Sequence, residues 1–189
     1  MSHLEQFSLT RAATALVLID FQDGLYRAMD PDRKIEALQN TRLLLHLAGT
    51  LNLPVLVTEQ YARGLGPTNA ELAALLPEDA AAIDKQVFSS WRADGFESRF
   101  RDTGATSAIL CGMETHVCVL GTTLDMLREG IVVHVARDAV ISRTRENWET
   151  GLQLMDRAGA VISSTETAIF QLLGAAGTEE FKAMARLLK

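Results

Sequence analysis

Short apolar runs alternate with helix-like segments along this chain, and that alternation limits its fold more than any other feature. The run over residues 14–20 is almost entirely apolar until it ends in an acid, which is typical of a strand buried on both faces. Residues 117–129 instead place apolar side chains at helical spacing. The predicted strands cover residues 14–20, 54–58, 83–85, 108–111, 131–136 and 160–163.

Strands that alternate with helices indicate βαβ units, right-handed crossovers and a parallel sheet covered by helices on both faces. The chain has 189 residues, which is enough for one domain with a sizeable core. We therefore predict a single α/β domain over residues 1–189. Its predicted helices cover residues 31–49, a short segment after Thr68, and residues 97–101, 117–129, 146–158, 165–173 and 178–189.

Capping residues predict where several of these helices begin and end. Asp30 followed by Pro31 is typical of an N-cap and the first helical position. Thr68, with Glu71 three residues later, matches a capping box. Gly130 is expected to end the helix that begins near residue 117.

Charge and composition disfavour several functional classes. The formal net charge is −6, so a basic surface for nucleic acid or for an anionic membrane is not expected. No stretch approaches the ~20 uninterrupted apolar residues of a membrane span. Two cysteines do not form a disulfide framework, and the start of the chain lacks the basic and apolar regions of a signal peptide. These features predict a cytoplasmic protein with reduced thiols.

Cys118 is expected at the first turn of a helix that starts just after the strand over residues 108–111. Backbone N–H groups and the positive end of the helix dipole meet at such a position, and both stabilise a thiolate over a thiol. We therefore predict a lowered pKa for this thiol and a role as a nucleophile. An inert buried thiol is the alternative. Cys111, midway along an apolar strand, is assigned to the core.

Two further polar residues are predicted at the same edge of the sheet. Asp20 ends the first strand and Lys85 ends the third. In open parallel sheets the ligand crevice lies beyond the carboxyl ends of the strands, so both should lie near Cys118. A thiolate attacks a carbonyl, a carboxylate moves the proton, and an ammonium lowers the pKa of the thiol and stabilises the anion. Taken singly, Asp20 fits a cap of the following loop equally well, and Lys85 is more typical of a solvated surface lysine.

Several segments together resemble the isochorismatase-like cysteine hydrolase family, and the likeness covers nearly the whole chain. It depends on the order and spacing of the segments. They are residues 16–22 (LVLIDFQ), 58–61 (TEQY) with 64–66 (GLG), 85–89 (KQVFS), 112–119 (GMETHVCV), 138–140 (DAV) with 142–143 (SR), and 172–178 (LLGAAGT).

The resemblance implies roles for specific residues. It makes Cys118 the nucleophile, Asp20 the general base and Lys85 the third member of a catalytic triad. It also implies a cis peptide bond before Glu114, with the N–H groups of Glu114 and Cys118 forming an oxyanion hole. The fold that it implies is a three-layer α-β-α sandwich with a mostly parallel, Rossmann-like sheet. Members of the family commonly form homo-oligomers.

Two departures from the family's patterns narrow the expected chemistry. Relatives that deamidate nicotinamide bind a metal through histidines beside the active site, whereas residues 59–63 hold no histidine, so no metal and no cofactor are predicted. The family's name-giving enzymes cleave a vinyl ether without needing the cysteine. Cys118 therefore favours hydrolysis of a C–N bond in a small-molecule amide or ureide. The alternatives are an isochorismate-like vinyl ether as substrate, a catalytically silent binding or scaffold protein, and a redox-sensing thiol.

Tyr61, Phe88 and Trp91 closely follow predicted strands, so they are expected to line an apolar substrate pocket. Thr115, in the same run as Cys118, is a further candidate for contact with the substrate. Packing in the core or at a subunit interface is the alternative for the three aromatic side chains.

The other histidines and arginines are assigned structural roles. His116 is expected to form a structural hydrogen bond, because Asp20 already supplies the base. His46 and His134 are expected to be packing or surface residues. Arg143 and Arg145 are expected to form ion pairs or to lie in interfaces.

Overall fold

The computed structural model describes residues 4–188, and one six-stranded sheet forms the centre of that part of the chain. Every neighbouring pair of its strands is parallel, in the order β3-β2-β1-β4-β5-β6. The strands are β1 (Thr14–Ile19), β2 (Val55–Gln60), β3 (Ile83–Lys85), β4 (Ser107–Met113), β5 (Val132–Ile141) and β6 (Val161–Ser163). The predicted α/β class with a parallel sheet is confirmed.

Helices cover both faces of this sheet, which gives the three layers that the resemblance implied. The core on one face contains residues of α2, α8 and α9, and the core on the other face contains residues of α5, α6 and α7. The helices are α1 (Asp23–Tyr26), α2 (Lys34–Leu51), α3 (Ala62–Leu65), α4 (Ala70–Ala73), α5 (Phe96–Asp102), α6 (Leu120–Arg128), α7 (Arg145–Arg157), α8 (Thr165–Leu173) and α9 (Glu179–Leu187).

The central strand β1 explains why its sequence is apolar without alternation. Leu16 and Leu18 point into one core, whereas Val17 and Ile19 point into the other. Successive side chains of a strand point to opposite faces, so a strand between two helical layers needs apolar residues at every position.

The strand order reverses direction beside β1, and this positions the site. β1 pairs with β2 on one side and with β4 on the other, so the chain builds outward in both directions from the middle of the sheet. In parallel sheets such a switch point opens a crevice beyond the carboxyl ends of the two strands. Here those ends are Ile19 and Met113.

β5 is longer than predicted and runs to Ile141. Its register against β4 shifts between Leu110 and Gly112 of β4, and pairing of the two strands resumes after that irregularity. The shift accommodates charged residues that interrupt the apolar pattern. One of them, Asp138, accepts hydrogen bonds from the N–H and the hydroxyl of Thr165, at 2.8 and 2.9 Å. The acid therefore fixes the start of α8.

The long helix α2 begins at Lys34, later than predicted. Asp30 still accepts a hydrogen bond from the N–H of Asp32, at 3.0 Å, but it caps a turn over residues 31–33 that precedes the helix. The helix then continues through Gly49 and ends at Leu51, and its C-cap Asn52 is left-handed with φ of 53°.

The capping box predicted at Thr68 is wrong. Both the N–H and the hydroxyl of Thr68 donate to Glu59 Oε1, at 2.6 and 2.7 Å. Asn69 is the N-cap of α4 instead and accepts from the N–H of Glu71 at 3.1 Å. Thr68 is thus used to hold its loop against the end of β2.

The predicted ends of the last two helices agree well with the structure. α8 has the bounds predicted for it, and α9 ends at Leu187, while residue 189 lies outside the described residues. Among residues 4–188 no helix is both long and apolar enough to cross a membrane.

Candidate active site

Asp20, Lys85 and Cys118 come together beyond the carboxyl ends of the strands, as the sequence predicts. Lys85 Nζ lies 2.6 Å from Asp20 Oδ2. The Cys118 thiol lies close enough to both side chains for each of them to shift its pKa. All three residues are buried.

Local backbone structure brings each of the three side chains to this point. Asp20 directly follows β1 and adopts a left-handed conformation with φ of 50°, which is uncommon for a residue other than glycine. Lys85 is the last residue of β3. Cys118 lies in a single π-helical turn, Thr115–Val119, between β4 and α6. The helix predicted over residues 117–129 is therefore split into this wide turn and α6, and π-turns are frequent at functional sites.

Gly112 allows the two central strands to approach each other at the switch point. It has φ of 117°, and a Cβ at this position would lie 1.9 Å from the carbonyl oxygen of Ile19. Only glycine fits such a close approach of two backbones. The peptide bond between Met113 and Glu114, which follows directly, is cis, and this is the bond that the resemblance implied.

The buried Asp20 carboxylate is held from two sides. Thr58 donates its hydroxyl to Asp20 Oδ1 at 2.7 Å, and Lys85 holds Oδ2. The Thr58 oxygen lies in turn 3.0 Å from Ser90 Oγ. These contacts fix the direction of the carboxylate toward Cys118.

The Lys85 ammonium is surrounded by oxygen acceptors. Besides Asp20, Nζ donates to Gln60 Oε1 at 2.7 Å and to the carbonyl oxygens of Val87 and Phe88 at 3.2 and 3.0 Å. A buried charge is tolerated when it is paired and its hydrogen-bonding capacity is satisfied. The loop after β3 therefore surrounds the charge of Lys85, the last residue of that strand, with its carbonyl oxygens.

The predicted lowering of the pKa of Cys118 is wrong: burial raises the pKa of this thiol to about 12. The negative charge of Asp20 raises it further, and Lys85 only partly compensates. Burial also raises the pKa of Asp20, although Lys85 and Thr58 oppose this shift. The Cys118 thiol is therefore neutral at pH 7 beside the Asp20–Lys85 ion pair, and Asp20 is the nearby group that can accept its proton.

Glu114, just before the π-turn, and His116, within it, are tied to the segment that follows β5. The Glu114 carboxylate accepts from the backbone N–H and from Nε of Arg143, at 3.2 and 2.9 Å. His116 Nδ1 lies 2.9 Å from Ser142 Oγ, so its structural hydrogen bond is confirmed. The ion pair predicted for Arg143 is confirmed as well.

The remaining structural assignments also agree with the structure. Arg145 Nε pairs with Glu149 at 2.8 Å. Cys111 is fully buried in the core, and its thiol faces the Val17 carbonyl oxygen at 3.6 Å. His134 is buried in β5, and its Nε2 lies 2.9 Å from the Gln6 carbonyl oxygen.

The structure separates the three aromatic pocket candidates. Tyr61 and Phe88 are exposed, with 47% and 63% of their surface accessible. Trp91 is only 7% exposed and packs edge-on against Phe96 and Phe100, at 6.1 and 5.5 Å between ring centroids. Trp91 therefore fits the core packing that the sequence left open as the alternative, because the short helical turn after Ser89 directs its ring into the core.

Thr115 is buried at the start of the π-turn, and its hydroxyl has no hydrogen-bond partner among the described residues. A buried hydroxyl without a partner is uncommon in folded proteins. This hydroxyl therefore has unused capacity to bind a polar group.

Sequence analysis assigned no role to the polar residues that hold the three central side chains, above all Thr58 and Gln60, although both lie in the segment over residues 58–61 that carries part of the resemblance. Both lie at the end of β2, and their position at a strand end was the available signal. Their chemistry did not single them out, since threonine and glutamine carry no charge. Within residues 4–188 no cluster of three or more histidine, cysteine, aspartate or glutamate side chains could hold a metal ion.

The comparisons with known proteins agree with this geometry. The family model of the isochorismatase domain matches residues 14–167, a range that contains all three central residues. The chain belongs to the isochorismatase family. The chain is thus an isochorismatase-family hydrolase, and it has the same fold as solved structures that resemble it.

Three relatives show how close the likeness is. The secreted isochorismatase effector Isc1 of Phytophthora sojae is 41% identical over 157 residues, which span 80% of this chain and 74% of that protein. The structure of the MAR1 ribonuclease of Caenorhabditis elegans is 33% identical, with a TM-score of 0.89 over 96% of this chain and 92% of that one. The YcaC gene product of Escherichia coli, described as an octameric hydrolase of unknown specificity, is 27% identical, with a TM-score of 0.88 over 96% and 89% of the two chains.

Proposed function

We propose that this protein is a cysteine-dependent hydrolase of a C–N bond in a small-molecule amide or ureide. The observation that carries the proposal is the buried Asp20–Lys85 ion pair, with 2.6 Å between its charged atoms, against which the Cys118 thiol is placed. Burying a charged group costs on the order of several kcal/mol of desolvation. Proteins keep such a pair where a hydrogen-bond network offsets this cost or where a function requires the charges. A thiol that merely fills space needs no such pair beside it.

In the first step, Asp20 takes the thiol proton while Cys118 Sγ attacks the substrate carbonyl carbon. A bond forms between sulfur and carbon, and the electron pair of the carbonyl double bond moves onto oxygen. The N–H groups of Glu114 and Cys118 receive that oxygen anion. The C–N bond then breaks as Asp20 returns its proton to the leaving nitrogen, which leaves a thioester.

In the second step, water replaces the amine. Asp20 takes a proton from water, the resulting hydroxide adds to the thioester carbon, and the C–S bond breaks. The proton returns to sulfur, so the acid product leaves and the thiol is restored. Lys85 keeps its charge throughout and stabilises whichever of the two neighbours is the anion.

The raised pKa of the thiol supports this division of roles. A preformed thiolate would leave Asp20 without a proton to take, whereas a thiol with a pKa of about 12 needs a base beside it. Asp20 is suited to that task because its own pKa is raised by burial, which makes it a better proton acceptor than an exposed carboxylate.

Tyr61, Phe88 and Thr115 are the residues that we assign to the substrate. The two aromatic side chains are exposed beside loops that contact the site, and the Thr115 hydroxyl has no hydrogen-bond partner within residues 4–188. We also propose that the protein is a homo-oligomer, as the E. coli relative is described to be, and that it needs no metal or cofactor.

A second candidate comes from the C. elegans relative, which is described as a ribonuclease. The net charge of −6 weighs against RNA as a substrate, because nucleic-acid sites need a positive surface. An isochorismate-like vinyl ether is a third candidate. Both belong in the same activity screen.

The deciding experiment is a turnover screen of small amides, ureides, nicotinamide-like compounds, isochorismate and an RNA oligonucleotide. It compares the wild-type protein with Cys118→Ala and with Cys111→Ala as the matched control. We expect hydrolysis of an amide or ureide that Cys118→Ala reduces by at least about 1,000-fold and Cys111→Ala leaves within about threefold. Full turnover by Cys118→Ala, or cleavage of the RNA alone, would reject the proposal.

A further inference from the structure

Gln60, the last residue of β2, provides the second side chain that holds the Lys85 ammonium. Its Oε1 accepts from Lys85 Nζ at 2.7 Å, and its Nε2 donates to the Gln86 carbonyl oxygen at 3.0 Å. An ammonium only donates hydrogen bonds and a peptide carbonyl only accepts them, so this orientation of the amide is the one that satisfies both neighbours.

The position of Gln60 is itself fixed by a buried amide, that of Gln22. The backbone N–H of Gln60 donates to Gln22 Oε1 at 2.7 Å, and Gln22 Nε2 donates to the carbonyl oxygens of Gln60 and Gly66 at 3.1 and 2.6 Å. Gln22 is fully buried. The two glutamines therefore form a rigid link from the segment after Asp20 to the far side of Lys85.

The choice of an amide at position 60 has a consequence for charge. Lys85 faces one carboxylate, that of Asp20, and its other acceptors are neutral. A second carboxylate in place of the amide would fit the same space but would compete for the ammonium and add a negative charge near the thiol. A neutral acceptor leaves the field of Lys85 directed at Asp20 and Cys118.

We propose that Gln60 is a positioning residue: its side-chain carbonyl orients Lys85 toward Asp20 and Cys118 while adding no negative charge to the site. This inference rests on the proposed function, because it assigns Gln60 to the same cluster of groups. The competing possibility is that Gln60 merely ties the end of β2 to the loop after β3.

The test is the rate of Cys118 modification by iodoacetamide at a fixed pH between about 8 and 10, where the rate follows the thiolate fraction. Peptide mass spectrometry separates Cys118 from Cys111. In Gln60→Glu the added negative charge should raise the pKa of the thiol, so the rate should fall at least about tenfold, which corresponds to a rise of one unit in that pKa. In Gln60→Met the ammonium loses an acceptor that holds it in place, and the rate should fall in the same direction by a smaller factor.

Gln171→Glu is the matched control. Its amide also links two backbone groups, the N–H of Leu9 and the carbonyl oxygen of Phe7, but far along the chain from the site. We expect it to leave the modification rate of Cys118 unchanged. Urea unfolding of all variants shows which of them remain folded under the conditions of the assay.

A rate in folded Gln60→Glu or Gln60→Met that equals the wild-type rate would overturn the inference and leave Gln60 as a loop tie. The outcome is separable from that of the activity screen, because iodoacetamide modification requires no turnover. If the wild-type protein hydrolyses no amide or ureide in the screen, but Gln60→Glu lowers the rate of Cys118 modification, the hydrolase proposal is rejected and the positioning role of Gln60 is kept.

Discussion

At the level of single residues, the acidity of Cys118 shows what the sequence could and could not predict. Its place after a strand end, like those of Asp20 and Lys85, followed from the alternation of strands and helices. The direction of its pKa shift did not follow. Burial of the sulfur and the nearby charge of Asp20 raise the pKa, and these effects outweigh the lowering expected from a helix dipole. Burial depth depends on the whole chain, so a local pattern does not encode it.

The raised pKa gives a pH-dependent prediction. The wild-type rate of Cys118 modification by iodoacetamide should increase about tenfold per pH unit through the alkaline range, since only the thiolate reacts. No plateau is expected below the thiol pKa of about 12. A plateau reached near pH 7 would show an acidic thiol and contradict this electrostatic account.

Trp91 shows a second limit at the residue scale. Its place after β3 predicted a ring over the crevice, but distance from a strand end does not specify which way a short turn directs its side chains. Phe96 and Phe100, which bury the ring, lie on α5. The direction of the Trp91 ring is therefore set by packing against these two side chains, and the position of Trp91 after β3 does not determine it.

At the level of elements, the junction of β1 and β4 depends on Gly112. In Gly112→Ala the new methyl group would meet the Ile19 carbonyl oxygen at a backbone φ of 117°. We expect a loss of about 3 kcal/mol or more in the free energy of unfolding, because both the clash and the strained backbone oppose folding. Urea unfolding measures it.

Gly49→Ala is the matched control for that substitution. Gly49 lies inside α2, and a Cβ there meets no atom within 4 Å. Alanine should stabilise the protein by about 0.5–1 kcal/mol, since it favours helix over the unfolded chain. Equal effects of the two substitutions would contradict the role given to the close approach at Gly112.

The ion pair that joins β1 to β3 gives another prediction at this scale. Lys85→Met removes the ammonium and leaves the Asp20 carboxylate buried without its partner. We expect a loss of about 3–5 kcal/mol in the free energy of unfolding. The double variant Asp20→Leu with Lys85→Met should regain much of it while remaining inactive, which urea unfolding and the turnover assay check together. A double variant no more stable than Lys85→Met would contradict this reading of the pair.

Some helix boundaries were predictable from the sequence and others were not. The bounds of α8 were predicted correctly, whereas Thr68 was misassigned as a helix cap because its hydroxyl donates to Glu59, on the strand before its loop. The extra length of β5 was missed for a similar reason. Its charged residues read as a strand end, but Asp138 bonds to Thr165 of α8.

At the level of the whole molecule, the sequence specified the layers and the parallel sheet but not the strand order. Continuous apolar runs require two covered faces wherever they lie in the sheet. Which strands are neighbours depends on packing between elements far apart in the chain, such as the contact of Gly112 with Ile19. The cytoplasmic location stays a prediction.

The proposed homo-oligomer gives a prediction at this scale. Light scattering coupled to size-exclusion chromatography should report a mass that is a multiple of 20.6 kDa. Exposed apolar side chains such as Ile35 and Phe170 are available for contacts between copies. A mass of 20.6 kDa at every protein concentration tested would exclude the assembly.

The central claim is that Asp20 controls the proton of Cys118, and one variant tests it with two readouts of opposite sign. Asp20→Asn removes the charge that raises the thiol pKa, so iodoacetamide should modify Cys118 faster than in the wild-type protein at pH 8 to 9, about tenfold or more. The same variant lacks the base, so hydrolysis of the amide found in the screen should fall about 100-fold or more. Slower modification together with retained hydrolysis would contradict the account.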